Sequence, residues 1–164
     1  MRILGIDPGN ALTAYALIEM PEFRLIRFEK IANEELRERR ISELEVDGID
    51  DIAIEMVASY GMPVGREVFE TCVWIGRFME FLAERCRDAN WIYRAEEKMT
   101  LCKSMKARDG NIRQALIDRY AKFDLKNGKG TKSNPDTFYG VSADVWQAIA
   151  VAVTYYEKVS ETKK

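Results

Sequence analysis

Two acids stand where a β-strand of ordinary composition would carry Val or Ile. The first, Asp7, closes the apolar run RILGID, and the second, Glu55, lies inside DIAIEMV. A carboxylate in a buried strand costs several kcal/mol unless it is paired or bound to a cation. A chain that spends two strand positions this way must fold so that a counter-charge reaches both. Asp7 also has a plainer reading, because Asp-Pro-Gly is turn chemistry: Pro fixes φ, Gly accepts unusual φ, and Asp hydrogen-bonds the turn backbone.

The pattern around these acids predicts an α/β layout. Strands are expected over Arg2–Asp7, Thr13–Glu19 and Phe23–Ile31, joined by tight turns at DPGN and MPEF. NEELRERRISELE reads as a short exposed helix, and Ile52–Val57 as a buried strand. From Val64 to about Cys86 the periodicity is helical, with Val68, Cys72, Ile75, Met79, Leu82 and Cys86 forming the expected core stripe. Asn90–Ala95 is a further strand. Glu96–Tyr120 reads as one or two basic helices broken near Asp109-Gly110, and NGKGTKSNPD as a loop. Ser142 offers an N-cap for a helix from Ala143 to about Val159. Three antiparallel strands followed by alternating strand and helix make a mixed sheet flanked by helices. At 164 residues the whole chain, 1–164, is expected to form one domain.

Composition removes several chemistries. There is no histidine, which excludes Ser-His and Cys-His nucleophile pairs and the usual zinc ligand sets. Cys72, Cys86 and Cys102 are too far apart for a metal knuckle and read as reduced packing residues. No run reaches the roughly 18 apolar residues of a membrane span, so no membrane partner and a cytoplasmic location are expected. The formal charge of -2 argues mildly against nucleic acid, but its distribution does not. Between Lys98 and Lys132 ten basic residues face three acids, a local charge of +7 that suits either phosphate binding or a solvated helix face.

Asp144, at the start of the last helix in VSADVWQAIAVAV, supplies a third acid. Alone it is as consistent with an electrostatic cap, because a helix N-terminus favours a carboxylate. With Asp7 and Glu55 it makes an oxygen-only set suited to Mg²⁺ or Mn²⁺, and two such ions can flank a phosphodiester undergoing hydrolysis.

The segments GIDPGNALTAYALIE, IAIEMV and SADVWQAIAVAV, in that order, resemble the RuvC-type Holliday junction resolvases of the ribonuclease-H-like superfamily. The resemblance spans Ile3 to Val153 and looks closest to the short phage-associated branch, an impression strengthened by KARDGNIRQALIDRY and GTKSNPDTFYGVSADVWQA. It implies a ribonuclease-H-like sheet, two divalent ions held by carboxylates, and paired nicking of a four-way DNA junction by a homodimer. Asp7, Glu55 and Asp144 match the catalytic, metal-binding acids of the family. Where the family places a fourth ligand, this chain has Val141; Asp136 is the nearest substitute, at the wrong spacing. Family lysines that contact the scissile strand point to Lys98, Lys103, Lys106 and Arg113 as DNA-binding candidates.

Three other readings stay open. An actin-like or Hsp70-like ATPase also begins with a Gly-Ile-Asp strand, but needs a second such domain. A non-catalytic nucleic-acid-binding module would explain Val141. A nuclease for other branched or hybrid substrates would share the same fold. For the dimer, Trp74, Phe78 and Phe81 fall on a different side of the long helix from the expected core stripe and are the candidate interface, unless loops of the same chain cover them.

Overall fold

Strand β1 (Arg2–Asp7) can only be central, because Ile3, Leu4 and Ile6 are fully buried on alternating faces and Gly5 has no side chain to expose. The computed structural model describes residues 1–162 apart from Tyr60 and Met62. It places β1 between β2 (Leu12–Glu19) and β4 (Asp51–Met56) in a five-stranded sheet of order β3-β2-β1-β4-β5, with β3 at Arg24–Ala32 and β5 at Ala89–Tyr93. The first three strands are antiparallel, and β4 and β5 join in parallel. This is the mixed sheet that the pattern predicted.

Each face of the sheet buries its own layer. Leu4, Ile6, Tyr15, Leu17, Ile52 and Ile54 pack against the segment 33–46 and against α3 (Arg66–Ala83). That segment comprises α1 (Asn33–Glu35), a π-helical turn (Leu36–Arg40) and α2 (Ile41–Val46). It is not wholly exposed, as its charge suggested: Leu36, Ile41 and Leu44 are fully buried beneath its arginines and glutamates. The opposite face carries α4 (Arg94–Cys102), α5 (Asp109–Tyr120) and α6 (Val145–Thr162). The break between α4 and α5 falls at 103–108, earlier than Asp109-Gly110, where Lys103 adopts φ 53° and ends α4. No helix among the described residues is long and apolar enough to cross a membrane.

The long helix is rotated relative to the expected stripe. Trp74, Phe78 and Phe81 are buried, at 8%, 0% and 9% exposure, together with Ile75 and Leu82. They are core residues and cannot anchor a partner. Cys72 and Cys86 are exposed, and Val68 and Met79 only half-buried. The reason is area: three rings flanking Ile75 and Leu82 bury more apolar surface than the aliphatic and thiol stripe would. What the rotation leaves outside is Phe69 at 61% and Val73 at 56% exposure, with Gly76 beside them on the outward face.

The other face depends on small side chains. Gly5, Ala14, Ala16 and Ala53 form the floor beneath α6, whose Ala148 and Ala152 lie against it. A Cβ built on Gly5 would stand 2.1 Å from the Ala148 carbonyl oxygen and 2.9 Å from the Ala152 Cβ. The helix therefore rests directly on the strand backbone, and Asp144, one turn before Ala148, is carried to the end of β1.

Two expected outcomes follow for stability, both read by urea or thermal unfolding. Gly5→Ala should lower stability by about 1–3 kcal/mol, since the methyl group must push α6 away. Phe78→Ala should cost about 3–5 kcal/mol, whereas Val73→Ser on the outward face should stay within about 0.5 kcal/mol of the parent; the reverse order would restore the original stripe.

Candidate nuclease site

The sheet delivers its acids to one edge. Asp7 is the last residue of β1, and the parallel register pairs Ile6 with Ile54, so Glu55 lies beside Asp7 on the neighbouring strand. Both side chains point to the α6 face and are partly exposed. The loop that leaves β1 is fixed from below by fully buried Asn33, whose Nδ2 donates to the Gly9 carbonyl at 2.9 Å and whose Oδ1 accepts from Thr13 Oγ1 at 2.7 Å. The chain bends at Asn10 and Ala11 after Pro8-Gly9, and the Asp7 carboxyl, on the α6 face, is engaged with Glu55.

Asp144 completes the three. Ala143 adopts φ 43°, in the left-handed region, and blocks an earlier helix start, so α6 begins at Val145 and the Asp144 carbonyl accepts the first helical bond from Ala148 N at 3.2 Å. Asp144 is therefore at the cap rather than inside the first turn, and Ser142 stands exposed ahead of it. Its carboxylate accepts from Lys30, which lies on the same sheet face as Asp7 through the pairs Asp7–Ala14 and Ala14–Lys30.

A fourth acid arrives from a place the sequence did not mark. Glu97, in the first turn of α4, has no exposed surface. One oxygen, Oε2, accepts from Arg94 Nη1; the other, Oε1, is buried without a partner. Arg94 also donates to Gln147 on α6 and to Asp109 at the start of α5, so one guanidinium ties three helices around the site. Residues Arg94, Glu97 and Lys30 were missed because each has an ordinary use: an acid in a first helical turn is a dipole cap, and a basic residue at a strand end is a solvated edge.

The electrostatics set these acids apart. Burial, followed by the charge of Glu55, a hydrogen bond to Glu55 and the charges of Asp144 and Glu97, pushes Asp7 up to about 9. Burial and then Glu55 push Glu97 up to about 8, against the opposing pull of Arg94. Buried carboxyls whose protons are held by burial and by one another make this edge of the sheet a candidate for chemistry. The all-oxygen donor set suits Mg²⁺ or Mn²⁺. Among the described residues no three acids are already drawn together as a metal cluster; Asp144 is paired with Lys30 and Glu97 with Arg94.

Neither Val141, at the family's fourth-ligand position, nor its suggested substitute Asp136 offers a free carboxylate. Val141 is fully buried in the core beneath α6. Asp136 is buried in the loop before α6, where it accepts from the backbone N–H groups of Lys122 (2.9 Å), Phe123 (3.0 Å), Asp124 (2.7 Å) and Thr137 (2.7 Å). Burial raises its pKa, but these donors more than offset it and hold the carboxyl far below the usual range. Asp136 is a loop staple.

An open cleft of about 420 Å³ reaches Asp144 and is lined also by Asp109, Arg113, Lys129, Trp146 and Gln147 among others. Arg113 stacks over the Trp146 ring at 5.0 Å. Arg113 is thus beside the site, whereas Lys98 is half-buried on α4, Lys103 is exposed at its C-terminal end, and Lys106 lines a separate depression with Cys102 and Asn111.

No family model and no curated protein matches the sequence. Solved structures do. The chain matches the Thermus thermophilus RuvC structure with a TM-score of 0.69, over 98% of this chain and 97% of that one, at 17% identity. It matches T. thermophilus RuvC in complex with a Holliday junction substrate with a TM-score of 0.68, over 97% and 96% of the two chains, at 16% identity. At such identities the likeness is one of backbone, and it extends over nearly the whole of both chains. A central mixed sheet, two helical layers and acids gathered at the ends of β1 and β4 therefore belong to a protein with the RuvC-like, ribonuclease-H-like fold.

Proposed function

We propose that the protein is a metal-dependent, structure-selective DNA endonuclease that resolves four-way junctions, serving recombination, repair or phage DNA processing. The observation that carries this reading is the convergence of Asp7, Glu55 and Asp144 at one edge of the sheet, with too little positive charge to ionise them all, beside a cleft lined by Arg113 and Lys129. The RuvC-like fold supports the substrate class, since one of the matched structures is a complex with a Holliday junction.

Divalent ions, in a two-metal site, would lower the pKa of the attacking water and stabilise the charge gathering on the leaving 3′ oxygen. The chain supplies the rest. Asp7, Glu55 and Asp144 are the acids that hold the ions, and Asp7 must release its proton to do so. Arg113 and Lys129 hold the phosphate backbone in the cleft, with Arg113 kept in place by the Trp146 ring. Lys30 is placed to exchange its contact with Asp144 for one with DNA phosphate.

The proposed assembly is a homodimer, which presents two sets of acids to one symmetric junction. Its interface is the outward face of α3 around Phe69 and Val73, an apolar ridge that the core does not use.

Activity is read on labelled four-way junctions against forks, hybrids and linear duplex in Mg²⁺ or Mn²⁺. Asp7→Asn, Glu55→Gln and Asp144→Asn should each cut roughly 100-fold more slowly or worse, beyond the 10–100-fold typical of residues that only support a ligand. Parent protein that binds junctions but never nicks them would instead favour a binding module. Arg113→Ala and Lys129→Ala should weaken junction binding and each reduce its salt slope by about 1.

The pH dependence has a definite sign. In the folded chain Asp7 keeps its proton to about 9, against 3.8 for an ordinary Asp, and Glu97 to about 8, against 4.5. The folded state therefore binds more protons across this window, and the contribution of these groups to stability falls as pH rises from about 4 to about 9. Without divalent metal the melting temperature should fall between pH 6 and pH 9 and Asp7→Asn should flatten that decline; with Mn²⁺ the gain in melting temperature should grow with pH. Light scattering should give a dimer for the parent and a monomer for Phe69→Glu with Val73→Glu; a double variant that stays dimeric would move the interface elsewhere.

A further inference from the structure

The fourth ligand position before α6 is closed, since Val141 is packed in the core and Asp136 is spent on backbone donors. A further buried carboxylate stands on the next element of the same sheet face. Glu97 lies in the first turn of α4, which the sheet places immediately after β5, the strand next to Glu55. The helix is held at that depth by Glu96, which accepts from Tyr93 N at 2.7 Å and pairs with Lys158 of α6.

Glu97 is unlike a structural acid in two ways. It has no exposed surface, yet only one of its oxygens is used: Oε2 accepts from Arg94, and Oε1 is buried with no donor among the described residues. A buried carboxylate oxygen with no donor is costly, so the pair with Arg94 does not by itself account for Glu97. Compare Asp136, also buried, whose two oxygens take four N–H bonds. The register also puts it at the right place: Ile92 of β5 pairs with Glu55, and α4 begins directly after that strand, so the first turn carrying Glu97 follows the strand that flanks Glu55.

We infer that Glu97 is a ligand of the divalent-cation site, replacing from α4 the carboxylate that the loop before α6 does not provide. Arg94 then has a distinct part: its guanidinium is the counter-charge of Glu97 in the metal-free protein, and its bonds to Gln147 and Asp109 keep it within reach of the same acids after the cation enters. Arg94 is a positioning residue in this scheme, and Glu97 a metal ligand. This inference rests on the nuclease reading only for the presence of a metal, not for the substrate.

The test is Mn²⁺ binding to the full-length protein without DNA, by calorimetry and by electron paramagnetic resonance. Glu97→Gln keeps the shape and the acceptor for Arg94 but removes the charge. It should bind Mn²⁺ at least tenfold more weakly than the parent, a loss of the same order as for Glu55→Gln, and should change the resonance of bound Mn²⁺. Glu97→Asp, which keeps the charge and shortens the reach, should also weaken binding and covers the case in which Glu97→Gln does not fold. Arg94→Gln should lower the melting temperature while leaving Mn²⁺ affinity unchanged or higher. If Glu97→Gln or a folded Glu97→Asp binds Mn²⁺ within twofold of the parent with an unaltered resonance, Glu97 is only the partner of Arg94 and the inference is overturned. A parent that binds no Mn²⁺ overturns it as well. A parent that binds Mn²⁺ through Glu97 but cuts no junction leaves the inference standing and removes the nuclease reading, so the two can fail separately.

Discussion

Everything at the site depends on how closely α6 approaches the sheet. A helix packed on a strand through ordinary side chains sits about 10 Å away, too far to bring a cap residue onto the end of the strand. Here Gly5 accepts the Ala148 carbonyl against its bare Cα, and the alanines of β2 and β4 leave the floor flat around it. The spacing Asp144, Ala148, Ala152 is one helical ridge, so the residue that touches Gly5 and the residue that serves the site are one turn apart. The small residues in GID and IAIE are as much part of the site as the acids that follow them. They also explain why the middle of α6 can be apolar on every side: Ala148 through Val153 are all fully buried, with Thr154 after them, as suits a helix covered on several sides.

The same closeness creates the electrostatic problem that defines the site. Four carboxylates share this end of the sheet with two organic cations, and those cations come from positions with other duties, Lys30 on the sheet edge and Arg94 between three helices. In a low-dielectric pocket each uncompensated charge is costly, and proton uptake by Asp7 and Glu97 is the response available to the chain alone. Divalent cations would remove the need for those protons.

How much of this could be read from sequence varies with the kind of signal. The sheet was legible because period-2 burial and turn residues both mark strands, and Asp7 and Glu55 were legible because an acid among Ile and Val contradicts its neighbours. The rotation of α3 was not. Its apolar residues occupy more than one side of the helix, so periodicity permits two stripes, and only packing against Ile54 and Leu36 selects the aromatic one. Glu97 was hidden for another reason: in YRAEEKM it is the second of two acids in a first turn, where Glu96 does make the ordinary capping contact. Helical phase, which no local rule supplies, sends one glutamate to the cap and the next into the site.

Asp136 and Glu97 together show what separates a structural acid from a chemical one in this fold. Both are buried, both lie in or beside the basic segment, and neither is distinguished by its neighbours in sequence. Asp136 is surrounded by backbone N–H groups that its loop has turned inward, so the ionised form is the most stable one and nothing remains to be bound. Glu97 has one arginine for two oxygens and two further carboxylates nearby, so the ionised form is under-compensated. Burial alone does not decide between these roles; the number and kind of donors does. By that measure Asp136 belongs to the architecture of the loop that carries Lys129 to the cleft, while Glu97, with Asp7, is held in a state that a cation would relieve.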